Sequence, residues 1–213
     1  MNKNYISNKD ETIELFDNKL MDSLSRVHWT VPLYIYIPII LYLLFNSFIL
    51  YMLTTSNIFA YLLFGLFVWS ATEYLLHRFI FHWELKSNFG RRIHFIFHGV
   101  HHDYPRDSKR LVMPPAVSLP LALLFYYIFW AFIGPILINP FFAGFLTGYL
   151  IYDMMHYAIH HYNAKNKLWL AIKNHHMLHH YQDSKKGYGV SQPIWDYVFG
   201  TAFSKKSEKD LVN

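Results

Sequence analysis

Histidine is the residue through which this chain could do chemistry. It has fourteen histidines and no cysteine. All but His28 fall into four groups. They are His77 with His82; the run from His94 to His102 that holds His98, His101 and His102; His156 with His160 and His161; and His175 and His176 with His179 and His180. With thiolates absent, a metal bound here meets imidazole. That donor suits iron, copper, zinc or nickel rather than magnesium or calcium.

Spacing sharpens the reading. Residues three or four apart share a helix face. His98, His101 and His102 obey this, as do His156 and His160, and His176, His179 and His180. His77 and His82 are five apart, so a helix end or a local bend must turn both inward. The groups together supply about ten ligands, whereas one tetrahedral zinc takes four at most. Ten fits two ions with about five ligands each. The histidines are spread through helical sequence, unlike the contiguous tract of a purification tag.

Two apolar hairpins must position these groups. The composition is 54% hydrophobic and 20% aromatic with 15% charged residues, a membrane protein's balance in a chain of 213 residues. Positions 29–72 and 111–152 contain no Asp, Glu, Lys or Arg. Each stretch is long enough for two spans of about 20 residues. Thr54-Thr55-Ser56-Asn57 divides the first, predicting helices over 31–53 and 58–78. Asn139-Pro140 divides the second, predicting helices over 116–137 and 141–162. The expected fold is all-α and integral to the membrane, with four transmembrane helices as two hairpins. A cytosolic helical cap then holds a histidine-rich dimetal site. Residues 1–28 read as a cytosolic tail ending in a short interfacial helix, 29–201 as the membrane domain, and 202–213 as a charged, frayed C-terminal tail. No cleavable signal sequence is present. His28, beside Trp29 at the membrane boundary, reads as structural.

Charge supports this topology. Four Lys and Arg precede the first charge-free stretch, seven lie between the two, and eight follow the second. The two predicted hairpin turns have none. Basic loops stay cytosolic, so both termini and all four histidine groups are expected on the cytosolic side. The net charge of +5 is thereby a matter of topology. No nucleic-acid motif is present. Few carboxylates lie near the histidines: Glu73, Glu84, Asp103 and Asp153. This is unlike the Glu-x-x-His sites of ferritin-like bundles. An all-nitrogen pair of sites beside a bilayer suits two iron ions that activate dioxygen for chemistry on a lipid. Redox-inert zinc would suit hydrolysis through an activated water.

The pieces His77-Arg78-Phe79-Ile80-Phe81-His82, His98-Gly99-Val100-His101-His102, His156-Tyr157-Ala158-Ile159-His160-His161 and His176-Met177-Leu178-His179-His180 resemble the fatty acid hydroxylase superfamily. The text between them resembles its sphingolipid fatty acid 2-hydroxylase branch. Those pieces are Arg110 to Pro115, Gly148 to Asp153, Gly187-Tyr188-Gly189-Val190, and Trp195 to Thr201. The resemblance covers roughly 69–201. It implies a four-span oxidoreductase that uses dioxygen and two electrons to hydroxylate C2 of a long acyl chain, usually the N-acyl chain of ceramide. By position, it implies His77, His82, His98, His101, His102, His156, His160, His176, His179 and His180 as metal ligands. His94, His161 and His175 fall outside that pattern and read as supporting or structural. Iron is the expected working metal; zinc also favours imidazole, so purified protein can carry it.

The acyl chain needs an apolar slot, with its reacting carbon placed beside the metals. Tyr152 and Asp153 are candidates for the slot's polar mouth. Asp153, or Glu73 one turn before His77, could orient a ligand's second nitrogen. Many eukaryotic relatives carry an N-terminal b-type haem domain, for which a leader of 28 residues is too short. A separate electron-donor protein is therefore expected, and Lys165, Lys167, Lys173, Lys185 and Lys186 offer a basic face to an acidic carrier. The alternatives are a sterol or carotenoid hydroxylase or a desaturase, which share much of the histidine pattern but not the flanking pieces. A metal transporter or store would instead need ionisable residues along a path within the spans.

Overall fold

A computed structural model of the chain describes residues 4–83 and 86–204. Every regular element among them is helical. In order they are α1 (Lys19–Leu24), α2 (Val31–Phe45), α3 (Thr55–Leu76), α4 (Asn88–His94), α5 (Val100–Asp103), α6 (Pro115–Ile133), α7 (Ile138–His161), α8 (Lys167–Tyr181) and α9 (Ile194–Val198). Three π-helical turns, Asn46–Leu50, His77–Phe81 and Phe95–Gly99, continue α2, α3 and α4.

Among the described residues, three helical runs are long and apolar enough to cross a membrane: Val31–Leu50, Thr55–Phe81 and Pro115–Ile133. They surround α7, of whose 24 residues 17 are buried. Because α7 faces protein on most sides, its sequence tolerates polar residues that a lipid-facing helix would not. The core gathers on it: Phe141, Phe145, Tyr149 and Tyr152 with Trp69 of α3 and Tyr36 of α2. Small residues set the α3–α7 distance, as is usual for membrane helices. A Cβ on Gly65 would sit 1.9 Å from the Phe141 carbonyl oxygen, and one on Gly144 would sit 1.9 Å from that of Leu62. These two helices carry His77 and His156, so their backbone contact fixes one half of the site against the other.

Both hairpin turns lie earlier than the polar residues suggest. Thr54 caps α3 through Thr54 Oγ1, which accepts from the Asn57 amide at 3.3 Å. The turn itself is Tyr51 to Leu53, with Met52 at a positive φ of 48°. Likewise α6 stops at Gly134, φ 84°, and Asn139-Pro140 lies inside the first turn of α7. Proline is harmless there, because its missing N–H would have no helical partner, and Asn139 Nδ2 donates to the Pro135 carbonyl at 3.1 Å.

The N-terminal segment is not a free tail. The amides of Ile6 and Ser7 donate to the Asp103 carbonyl at 2.9 and 3.0 Å, and that of Val27 donates to the Lys109 carbonyl at 2.7 Å. Its helix α1 is capped by Asn18. At the other end, Thr201 and Phe203 are buried. The packed body therefore runs past 201, and a frayed tail beginning at 202 is incorrect. The rest of that tail, from 205, and Glu84 lie outside the described residues.

Candidate metal centre

A π turn resolves the five-residue spacing of His77 and His82. The His82 amide donates to the His77 carbonyl at 3.2 Å, an i→i+5 bond. The wider turn brings residues five apart to the same side, where an α-helix would separate them; such turns are frequent at functional sites. A second π turn precedes His101 and His102 and includes His98. Asn166 caps α8, accepting from the Leu168 amide at 2.8 Å, and α8 presents His175, His176, His179 and His180.

All ten histidines expected as ligands converge, and they do so as two sets of five. One is His77, His82, His98, His102 and His179; the other is His101, His156, His160, His176 and His180. Within each set, one nitrogen from each of the five rings lies within 4.8 Å of the other four. Helical spacing explains the division. His98 and His102, four apart, join one set, and His101 faces the other. His176 and His180, four apart, join the second set, and His179 faces the first.

The Nε2 atoms point at each other. His77 and His98 are 3.0 Å apart, His82 and His179 3.0 Å, and His98 and His102 3.0 Å. In the second set, His101 and His156 are 2.8 Å apart, and His176 lies 3.1 Å from both His160 and His180. Two nitrogens each about 2.1 Å from one ion lie about 3.0 Å apart at a right angle and about 3.4 Å apart at the tetrahedral angle. The observed spacing fits five nitrogens around one ion. Burial, reinforced by repulsion from neighbouring imidazoles, holds His98, His101, His176, His179 and His180 far below the ordinary histidine value and His102 at about 3. The rings are neutral at physiological pH, as ligation requires.

Backbone carbonyls orient two of the rings. Nδ1 of His77 donates to the Tyr188 carbonyl at 2.5 Å, and Nδ1 of His179 donates to that of Lys186 at 2.6 Å. A carbonyl only accepts, so these bonds set the tautomer that leaves Nε2 free for a metal. Two buried carboxylates clasp the segment that supplies the first of these carbonyls. Glu73 Oε1 accepts from the amides of Val190 and Ser191, both at 2.8 Å, and Oε2 binds the Ser191 hydroxyl. Asp196 accepts from the amides of Tyr188 and Gly189 at 2.9 and 2.7 Å, from Thr201 Oγ1 at 2.7 Å and from His175 Nε2 at 3.1 Å. Burial alone would raise the Asp196 carboxyl, but hydrogen bonds from His175, Thr201 and Gly189 outweigh it and hold it below the ordinary value. Asp196 and the two carbonyls are functional positions that sequence reasoning missed. The Gly187 to Val190 and Trp195 to Thr201 pieces contain Tyr188 and Asp196 but do not reveal their roles, and Lys186 lies just outside them.

The remaining candidates sit around this centre. Glu73 does not hydrogen-bond a ligand ring; it acts on His77 through the loop. Asp153 Oδ1 instead accepts from the Met113 amide at 3.3 Å. His175 is buried against Asp196. His161 stacks on Tyr157, rings 4.5 Å apart. Among the described residues, an apolar and a polar cavity reach the histidines. The apolar one, of about 700 Å³, ends on His98, His101 and His156 and includes Tyr152 and Asp153. The polar one, of about 750 Å³, ends on His82, His102 and His180 and is edged by Lys86, Arg91, His94 and Lys185.

Residues 62–201 match the sequence profile of a family described as fatty acid hydroxylase. The chain is 34% identical over 183 residues to dihydroceramide fatty acyl 2-hydroxylase FAH1 of Arabidopsis thaliana, covering 86% of this chain and 76% of that protein. It is 35% identical to the fatty acid 2-hydroxylase of Homo sapiens, covering 91% of this chain and 58% of the human protein. A solved structure titled full length scs7p, in which only the hydroxylase domain is visible, aligns with TM-score 0.82 at 35% identity, over 89% of this chain and 71% of that one. With this agreement in both sequence and backbone, the chain belongs to the fatty acid hydroxylase family.

Proposed function

We propose that the protein is a membrane-embedded oxygenase that places a hydroxyl on C2 of a long acyl chain, foremost the N-acyl chain of ceramide. One observation carries this reading. The apolar cavity ends on His98 of one five-nitrogen set and on His101 and His156 of the other. A lipid chain in that cavity therefore lies against both ion sites at once.

Each set holds one ion, iron in the working enzyme. The bound pair supplies activation of dioxygen, so that one oxygen atom ends in the hydroxyl and the other in water, with two electrons and two protons consumed. The residues do the rest. The ten imidazoles fix the ions' positions. Glu73 and Asp196 hold the loop whose carbonyl orients His77. Tyr152 and Asp153 meet the lipid's amide end, and the apolar wall excludes water from the reacting carbon. An unactivated C–H bond offers no polar handle, so placement alone selects C2.

In this reading α7 is the fourth span, and both termini and the metal centre face the cytosol. Electrons come from a separate redox protein of acidic surface. The edge of the polar cavity carries Lys86, Arg91 and Lys185 alongside Asp103 and Asp183, and its excess of positive charge supports the carrier's approach to His82, His102 and His180.

The test is expression with a reductant partner in a host that makes ceramides, followed by mass spectrometry of the acyl chains. A new species heavier by about one oxygen, hydroxylated at C2, is expected. His98→Ala, His156→Ala and His180→Ala should each abolish it while the protein still inserts. A species lighter by two hydrogens, or an undiminished signal in those variants, would count against this function.

A further inference from the structure

Part of the apolar cavity's wall comes from the segment ahead of the first span. Leu15, Phe16, Met21 and Leu24 line it. The family profile begins at residue 62, so this wall lies outside the matched region. Met21 and Leu24 of α1 stand at the cavity's open edge with Ile80, Phe97 and Leu124, and all five side chains are about half exposed, between 52% and 55%. The well-exposed residues of the lining are all apolar, which suits the entry of an apolar molecule, and Ile80 and Leu124 belong to two of the runs long and apolar enough to cross a membrane.

The part of the segment that makes this wall is seated on Arg110, with Arg92 donating to the Leu15 carbonyl beside it. Arg110 Nη1 donates to the Ile13 carbonyl at 2.6 Å, and Nη2 donates to Asp22 Oδ1 at 3.0 Å. The same Asp22 oxygen accepts from the Leu15 amide at 2.7 Å. Thr12 Oγ1 donates to Asp107 at 2.6 Å, and Asp107 in turn pairs with Arg110. The Arg110 side chain is 4% exposed between those two carboxylates. Separating a buried guanidinium from its carboxylates is strongly unfavourable, so α1 is held against the segment that leads into α6.

We propose that α1 is a gauge for the lipid: the bulk of the side chains at 21 and 24 sets the width of the opening and so decides which acyl lipids reach His98, His101 and His156. The proposal rests on the acyl-hydroxylation reading. Steric exclusion grows with cross-section, so narrowing the opening rejects a two-chained amide lipid before it rejects a single-chained fatty acid.

The experiment compares kcat/KM for a ceramide and for a free fatty acid of equal chain length in the full-length protein, the Leu24→Trp variant and the Leu24→Ala variant. Leu24→Trp should shift the ratio toward the fatty acid by about tenfold or more, and Leu24→Ala should shift it the other way, with metal content unchanged. An unchanged ratio in both variants, or an equal loss on both lipids, overturns the proposal. Cross-linking decides independently of turnover. A ceramide with a diazirine on its acyl chain near the amide should label the peptide spanning residues 12–26; labelling confined to other segments overturns it. Protein that turns over neither lipid, yet is labelled in that peptide, fails the functional reading and keeps the gauge.

Discussion

His77 Nδ1 donates to the Tyr188 carbonyl at 2.5 Å, and His77 Nε2 lies 3.0 Å from His98 Nε2. A bond to a loop 111 residues away thus aims a ring on the π turn that follows α3 at a ring on the π turn Phe95–Gly99. The loop is held by Glu73, one helical turn before His77, and by Asp196. The aim of His77 within the candidate metal centre is thus set by a loop that Glu73 and Asp196 hold.

Glu73→Gln tests that dependence. The amide keeps the side chain's shape and one accepting oxygen, but it puts an N–H donor where Oε2 accepts from the Ser191 hydroxyl. Loss of this kind of outer support typically costs 10–100-fold in metal affinity or activity. The expectation is a loss of about that size with membrane insertion intact, measured as metal retained during chelator titration. Unchanged retention would mean that the loop does not position His77.

Asp196→Ala should act more severely. It strips an acceptor from two amides, Thr201 and His175 in a fully buried setting. Bonds to a charged acceptor contribute about 1.5–3 kcal/mol each to stability, and buried donors left unpaired add to the loss. A lowered melting temperature and weak metal binding together are expected, read by thermal unfolding with and without added metal.

Gly144→Ala probes the contact between α3 and α7. The added Cβ would meet the Leu62 carbonyl oxygen at 1.9 Å, so the helices must separate. Overpacking of this kind costs about 1–3 kcal/mol. Because α3 carries His77 and α7 carries His156, the variant should also lose metal, measured by elemental analysis of purified protein.

The seat of α1 should be sensitive to acid. Burial would raise the Asp22 carboxyl, but the Leu15 amide, Arg26 and Arg110 together lower it below its ordinary 3.8. A carboxyl lowered in the folded state stabilises fully above the ordinary value, and that stability is lost as pH falls through the lower folded value. Hydrogen exchange should therefore show residues 12–27 protected at neutral pH and released below about pH 4. Uniform protection through that range would contradict the assigned role of Asp22.

Much of this could be read from the chain, for physical reasons that also set the limit. The metal-binding face of a helix is a local matter of three- and four-residue spacing, so His98, His102, His176 and His180 announce themselves. So do charge-free stretches long enough for a bilayer. Which set His101 or His179 joins depends on the packing of separate helices. The turn positions slipped because Thr55 and Asn139 act inside first helical turns as well as in loops. Asp196 was illegible as a supporting group because its partners are backbone amides of Tyr188 and Gly189, and amides leave no mark in a sequence. The wall made by α1 was hidden likewise, since its apolar residues resemble an interfacial helix until Arg110 is seen to seat it.

The central claim is that two sets of five imidazoles form one paired-ion centre. Anomalous diffraction from iron-loaded crystals, with the metal counted per chain, tests it most directly. The account predicts two ions per chain, one among His77, His82, His98, His102 and His179 and one among His101, His156, His160, His176 and His180, with His98→Ala weakening the first site and His156→Ala the second. A single ion, or ions bound outside these rings, would contradict it.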